Sequence, residues 1–168
     1  TTLWRQDPGG VFVDVTSTWL EETGAFLDAD FGDTDGDGDL DLLHSFRGVL
    51  HNDGSGRLVR LEPWFGDIAY CGVVFDVDGD GRVDVVGSNG QAGWWRSHDG
   101  GYFERRRPLP NLANQLLANM VARLDLEGDG DDDVWFDSGV LRNDGAATFT
   151  DVTAQVVPTT MLPISSSS

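Results

Sequence analysis

A nine-residue acidic stretch constrains this chain more than anything else in it, because it occurs three times. Asp33–Asp41 reads D-T-D-G-D-G-D-L-D, Asp76–Asp84 reads D-V-D-G-D-G-R-V-D, and Asp125–Asp133 reads D-L-E-G-D-G-D-D-D. Each copy sets acids at loop positions 1, 3, 5 and 9 around a G-D-G turn at positions 4 to 6. Hard divalent cations want about six to eight oxygens, and a tight glycine turn can aim alternating carboxylates and one carbonyl at a single point. The pattern predicts three calcium sites. The first would use Asp33, Asp35, Asp37 and Asp41 with the carbonyl of Asp39. The second would use Asp76, Asp78, Asp80 and Asp84 with the carbonyl of Arg82. The third would use Asp125, Glu127, Asp129 and Asp133 with the carbonyl of Asp131, and its longer Glu127 arm predicts a weaker or differently hydrated site. A solvated acidic turn without metal would explain one such loop; three at identical spacing favour cations.

An EF-hand loop also begins D-x-D-x-D-G, but it needs a Glu at position 12 and a helix on each side. Position 12 here is His44, Gly87 and Phe136, and the loops run straight into short apolar stretches such as Leu40–Leu43, Val83–Val86 and Val134–Trp135. These flanks predict strands.

A second motif alternates with the first. Leu3–Asp7, Val49–Asp53, Trp94–His98 and Val140–Asp144 are each followed by a glycine-bearing turn and a large apolar residue in register, Phe12, Leu58, Phe103 and Phe149. Their starts are separated by 46, 45 and 46 residues. Asn52-Asp53-Gly54 and Asn143-Asp144-Gly145 carry hairpin turn chemistry, since Asn and Gly tolerate positive φ. Entering strand, acidic loop, exit strand and hairpin make one unit of four strands, and four-stranded sheets at this period are the sequence signature of propeller blades. The expected fold is therefore all-β, a β-propeller forming one domain over residues 1–168. A partial blade would span residues 1–20, and full blades about 21–62, 63–107 and 108–153.

The segments around Asp30-Phe31-Gly32-Asp33 and their two echoes resemble the FG-GAP or VCBS-type repeat of integrin alpha-subunit propellers and many secreted bacterial proteins. The endings Phe12-Val13-Asp14-Val15-Thr16 and Phe149-Thr150-Asp151-Val152-Thr153 are similar to the close of those repeats. The resemblance covers Leu3 to Thr153 and implies a propeller with calcium in the loop joining the first two strands of each blade. Family members act in adhesion, as lectins, or as accessory domains of secreted enzymes. Three full blades fall short of the usual four to eight. Three completions remain open: the tail 154–168, with Met161–Ile164 as an inner strand, completing the partial blade; a homo-oligomer, with a second copy closing a larger ring; or a longer parent chain.

The formal charge of −18 argues against a nucleic-acid partner, because phosphate affinity rests on clustered Lys and Arg. Half of that acidity is local, 15 of the 29 acids lying in the three loops. No apolar run reaches membrane-spanning length, so membrane insertion is not expected. Extracellular placement is, since calcium there suits modules of modest affinity. Cys71, the one cysteine, excludes an internal disulfide and sits beside Tyr70, Val73 and Val74, the setting of an inert thiol.

No enzymatic activity is expected. His51 aligns with Arg5, Arg96 and Arg142, and His98 with Asp7, Asp53 and Asp144, both predicted as exposed hairpin positions; no nucleophile elbow is present. Trp4, Trp94, Trp95 and Trp135 are expected to pack between blades. Trp19 and Trp64 fall in crossings between blades, where they either stack on a sugar ring or fill interblade space. The third crossing carries Arg105-Arg106-Arg107 and the polar Asn111, which form either a ligand pocket or a solvated basic patch. The function expected is non-catalytic recognition of a glycan. Protein adhesion and an accessory role in a larger secreted enzyme are the alternatives.

Overall fold

Short alternating segments punctuated by Gly, Asp and Asn satisfy their backbone groups by pairing with the next segment along. In a computed structural model that describes residues 2–20, 28–45, 47–60, 71–88, 92–99, 101–109 and 120–157, they form four consecutive antiparallel sheets. The first is two-stranded, β1 (Trp4–Gln6) with β2 (Phe12–Asp14), and runs into the one-turn helix α1 (Thr16–Trp19). Three four-stranded meanders follow. One is β3 (Ala29–Gly32), β4 (Asp41–His44), β5 (Gly48–Asn52) and β6 (Leu58–Val59); the next is β7 (Cys71–Phe75), β8 (Asp84–Ser88), β9 (Ala92–His98) and β10 (Tyr102–Pro108). The last is β11 (Val121–Leu124), β12 (Asp133–Phe136), β13 (Gly139–Asn143) and β14 (Phe149–Asp151), followed by the one-turn α2 (Thr153–Val156). The fold is all-β, in three four-stranded units preceded by one hairpin.

The register repeats from sheet to sheet. The aligned apolar residues pair as Gln6 with Phe12, Asn52 with Leu58, Ser97 with Phe103, and Asn143 with Phe149. Two residues before each lies a turn residue at positive φ: Gly10 at +81°, Gly56 at +89°, Gly101 at +73°, and Ala147 at +57°. The two similar endings adopt one geometry. Asp14 and Asp151 each accept the Thr amide two residues on, at 2.9 Å in both, while the Thr16 and Thr153 hydroxyls accept the amides of Leu3 and Val140 at 2.8 and 2.9 Å.

Strand alternation stacks the sheets. Val74 and Val85 turn to one side and pack with Leu43 and Val49 of the preceding sheet, while Val73, Phe75 and Val86 turn to the other and pack with Val121, Val134 and Phe136 of the following one. Full burial of each such side chain is worth about 1.5–3 kcal/mol, which makes these interfaces the main source of cohesion. Leu3 and Leu20 similarly join the first hairpin to Leu42, Leu50 and Leu58. Gly32 permits close approach, for a Cβ there would meet Val74 and Val83 at 2.8 and 2.9 Å. The first strands lie side by side: Asp30 accepts the Val74 amide at 2.9 Å, and Arg123 donates to the Val74 carbonyl at 3.2 Å.

Two expectations need correction, and a third is untested. Trp94 and Trp95 pack as foreseen, but Trp4 is 54% and Trp135 42% exposed. Trp4 belongs to a hairpin whose strand is exposed throughout, and Trp135 points away from the face that Val134 and Phe136 bury. Arg105-Arg106-Arg107 form part of strand β10 rather than a crossing, with a register shift between Arg105 and Pro108. The predicted inner strand at Met161–Ile164 lies outside the described residues.

Candidate metal centre

Each acidic loop is tied down at both ends by its own backbone. At position 1, the two oxygens of Asp33 accept the amides of Gly36 and Gly38 at 2.8 and 3.0 Å. Asp76 does the same for Gly79 and Gly81 at 2.9 and 2.8 Å, and Asp125 for Gly128 and Gly130 at 2.6 and 3.2 Å. These glycines all have φ between +76° and +96°, with open space where a Cβ would be, so conformation rather than crowding requires them. Position 5 accepts the amide of position 7 in every loop, at 2.9, 3.0 and 3.1 Å.

Position 9 is fully buried and spans two strands. Asp41 accepts the Thr34 amide at 2.8 Å and the Asn52 amide at 2.9 Å; Asp84 accepts Val77 at 3.2 Å and Ser97 at 2.8 Å; Asp133 accepts Leu126 at 2.7 Å and Asn143 at 2.8 Å. One carboxylate thus fastens the loop entrance to the third strand of its sheet. The hairpin register and the acidic loop are one construction.

Carboxylate oxygens of Asp33, Asp35 and Asp37 lie within 4.8 Å of one another, as do those of Asp76, Asp78 and Asp84. Both sets offer the hard oxygens a calcium ion takes. The third loop forms no such group among the described residues. Glu127 instead reaches Arg142, at 3.2 Å. Asp39, Arg82 and Asp131, expected to give carbonyls, stand at the same turn position; the Arg82 guanidinium pairs with Asp99.

One set of residues was misjudged from the sequence. His51 is 4% exposed and faces the first loop, its Nδ1 3.4 Å from Asp35 and 3.5 Å from Asp41. At the same register, Arg96 Nε sits 2.9 Å from Asp78 and its Nη2 2.7 Å from Asp80, and Arg142 meets Glu127. Every acidic loop is therefore closed by a basic residue of the third strand. The recurrence of a base at 51, 96 and 142 was the available signal. His98, the other predicted hairpin position, is half-buried, 3.3 Å from Glu104.

The closing residue sets the electrostatics. Burial pushes Asp41 up, but His51 and the hydrogen bonds from Thr34 and Asn52 outweigh it and leave the carboxyl below its ordinary value. Burial likewise pushes the His51 imidazole down, and Asp41 and Asp35 reverse this and hold it above its ordinary value. In the second loop burial wins, and Asp84 is pushed up to about 6 despite its two amides. The Arg96 guanidinium beside Asp80 keeps that carboxyl low.

The ligand-binding candidates separate. Trp19 has Arg5 over its ring at 5.4 Å and the Gly56 backbone against it, so it fills space between the first hairpin and the next sheet. Beside it opens a groove of about 410 Å³ lined by Ser17, Thr18, Leu20 and Arg57. Arg105 is exposed and stacks over Trp95 at 5.6 Å. Trp64 and Asn111 lie outside the described residues. Cys71 is buried and its thiol is pushed up to about 11, chiefly by that burial. The chain matches no protein-family model and no curated protein.

Proposed function

We propose that the chain is a calcium-binding β-propeller module of the FG-GAP or VCBS kind, acting outside the cell in non-catalytic recognition of a glycan. The observation that carries this is the same loop frame in three successive sheets, with positions 1, 5 and 9 fixed by backbone amides at matching distances. Asp33, Asp35, Asp37 and Asp41 would hold one ion, and Asp76, Asp78, Asp80 and Asp84 a second. The third loop, with Asp125, Glu127, Asp129 and Asp133, is the weakest, because its acids gather into no three-residue group among the described residues. The ion's contribution is to cross-link an entrance strand to its exit strand. First strands set side by side and sheets stacked in chain order support the propeller.

The open groove beside Trp19 supports recognition: hydroxyls of Ser17 and Thr18 and the Arg57 guanidinium offer hydrogen bonds suited to sugar hydroxyls. Each histidine has a structural engagement that supports a non-enzymatic reading: His44 with the Ser45 carbonyl, His51 with the first loop, and His98 with Glu104. A protein ligand is the second reading. Exposed apolar residues lie on both the first and last sheets, Trp4, Val11 and Phe12 on one and Met120 and Trp135 near the other, and a second copy or a longer parent could cover them.

Thermal melts in calcium and in chelator, with a glycan array under both conditions, test these statements separately. Calcium at about 100 times its Kd stabilises by about 2.7 kcal/mol per site, so a clear rise in Tm is expected, and an unchanged melt overturns calcium binding. Glycan binding that Thr18→Ala and Arg57→Ala abolish identifies the groove. An array silent for the folded, calcium-loaded protein overturns the lectin in favour of adhesion.

A further inference from the structure

The first acidic loop differs from the other two in the one residue that faces its carboxylates. In the second and third loops that residue is an arginine, which stays protonated, has no lone pair and cannot ligate a metal. In the first it is His51, whose imidazole is a ligand for borderline metals. The ring is 96% buried by its 4% exposure, and Nδ1 makes no hydrogen bond although it points between two carboxylates. Protonated, the ring meets these carboxylates as an ion pair; neutral, it turns the Nδ1 lone pair toward the space they share.

We propose that Asp35, Asp41 and His51 form a site for a borderline divalent transition-metal ion of the zinc type, distinct in chemistry from the all-oxygen calcium sites. Zinc takes His nitrogen at about 2.0–2.1 Å and carboxylate oxygen at about 2.0–2.2 Å, which sets ligand atoms about 3.3–3.5 Å apart at tetrahedral angles. The separations of Nδ1 from Asp35 Oδ2 and Asp41 Oδ2, 3.4 and 3.5 Å, already match that edge. The ligand atoms of all three residues fall within 4.8 Å of one another. The ring is preset from outside its own sheet: the Gly101 turn of the next sheet lies so close that a Cβ there would overlap the imidazole. Asp41 is held by the amides of Thr34 and Asn52, and only the Thr34 hydroxyl, which rotates, must release Oδ2 for the metal. Thr34 is replaced by Val77 and Leu126 in the other loops, so this hydroxyl too belongs to the first site alone.

Asp35 and Asp41 also belong to the calcium set proposed for the first loop, so zinc would take calcium's place there, and the test separates the two readings. Chelator-stripped protein is titrated with Zn2+ by calorimetry and with Co2+ by visible absorption, in wild type, His51→Gln and His98→Gln, each checked for folding by circular dichroism. One equivalent of Zn2+ and a cobalt ligand-field band are expected in wild type and His98→Gln, with affinity falling at least about 100-fold in His51→Gln. Should His51→Gln not fold, Asp35→Asn on the loop replaces it with the same expectation. No zinc binding by wild type, or equal binding by His51→Gln, overturns the proposal. A calcium-induced rise in Tm that persists in that event leaves the calcium sites standing.

Discussion

The first and second acidic loops have the same nine-residue backbone and the same two anchors, yet they are closed by different chemistry. Asp33 and Asp76 each gather two glycine amides, and Asp41 and Asp84 each join loop to third strand. Over this shared frame, His51 faces Asp35 and Asp41 in one sheet, while Arg96 spans Asp78 and Asp80 in the next. The difference separates two jobs that a repeated acidic motif merges. Positions 1 and 9 fix the backbone of the loop; position 3 meets the third-strand base, whose chemistry differs from loop to loop.

The shared frame gives the largest predicted effect. Asp41→Ala and Asp84→Ala each strand two backbone amides, at about 1–3 kcal/mol per buried unsatisfied group, so urea unfolding should show losses of about 2–6 kcal/mol in both. A loss under about 1 kcal/mol in either would break the equivalence of the two loops. The next effect is specific to the first loop. Gly101→Ala drives a Cβ into the His51 ring at φ +73°, whereas Gly81→Ala meets nothing at φ +86°. The former should cost about 2–4 kcal/mol through overlap plus strain, the latter only about 1 kcal/mol of strain. Equal costs by the same unfolding measurement would mean that the roof over His51 is not rigid.

The pH response sharpens the comparison further. His51 is held above its ordinary value, so its contribution to stability is complete below the unfolded pKa of about 6.5 and is lost as pH rises through the folded value. Asp84 is pushed up to about 6, so the folded state holds its proton more tightly than the unfolded chain. Its contribution is complete below about 3.9 and is lost as pH rises through about 6. Metal-free protein should therefore lose Tm in two windows, a lower one removed by Asp84→Asn and an upper one removed by His51→Gln. Calcium favours the ionised carboxylate and should erase the lower window; its survival in saturating calcium would argue that Asp84 is not a ligand.

The frame was legible in the sequence because it is written three or four times. Phe12, Leu58, Phe103 and Phe149 align in the sequence, and each pairs with the residue at one shared column of the hairpin motif, Gln6, Asn52, Ser97 and Asn143. Position 9 was legible as an acid, but its bonds to the third strand were not, since they join residues 10 to 13 apart through a hairpin whose register had first to exist. His51 was misplaced for a related reason. It shares its alignment column with arginines, whose long stems keep a charged end near water, and its burial comes from Gly101 in a different sheet. Trp4 and Trp135 show the same limit: alternation assigns a face, and only the row of sheets decides whether that face is covered.

The smallest predicted effect lies where the repeat departs from its own rule. The turn position two residues before each aligned apolar residue is Gly10, Gly56 and Gly101 in the first three hairpins and Ala147 in the fourth, all at positive φ. Ala146, just before it, is also left-handed, at +49°. An L-residue in that region costs about 1 kcal/mol that glycine does not, partly offset by glycine's greater freedom in the unfolded chain. Ala147 also packs its methyl against the apolar cluster around Val77 and Phe136, whereas Ala146 is exposed. Ala146→Gly should therefore raise stability by about 0.5 kcal/mol in urea unfolding, and Ala147→Gly by less, because the lost methyl contact subtracts from the relieved strain. A larger gain at 147 than at 146 would mean that the methyl contributes nothing there, and that the fourth turn diverged from the glycine rule without a packing return.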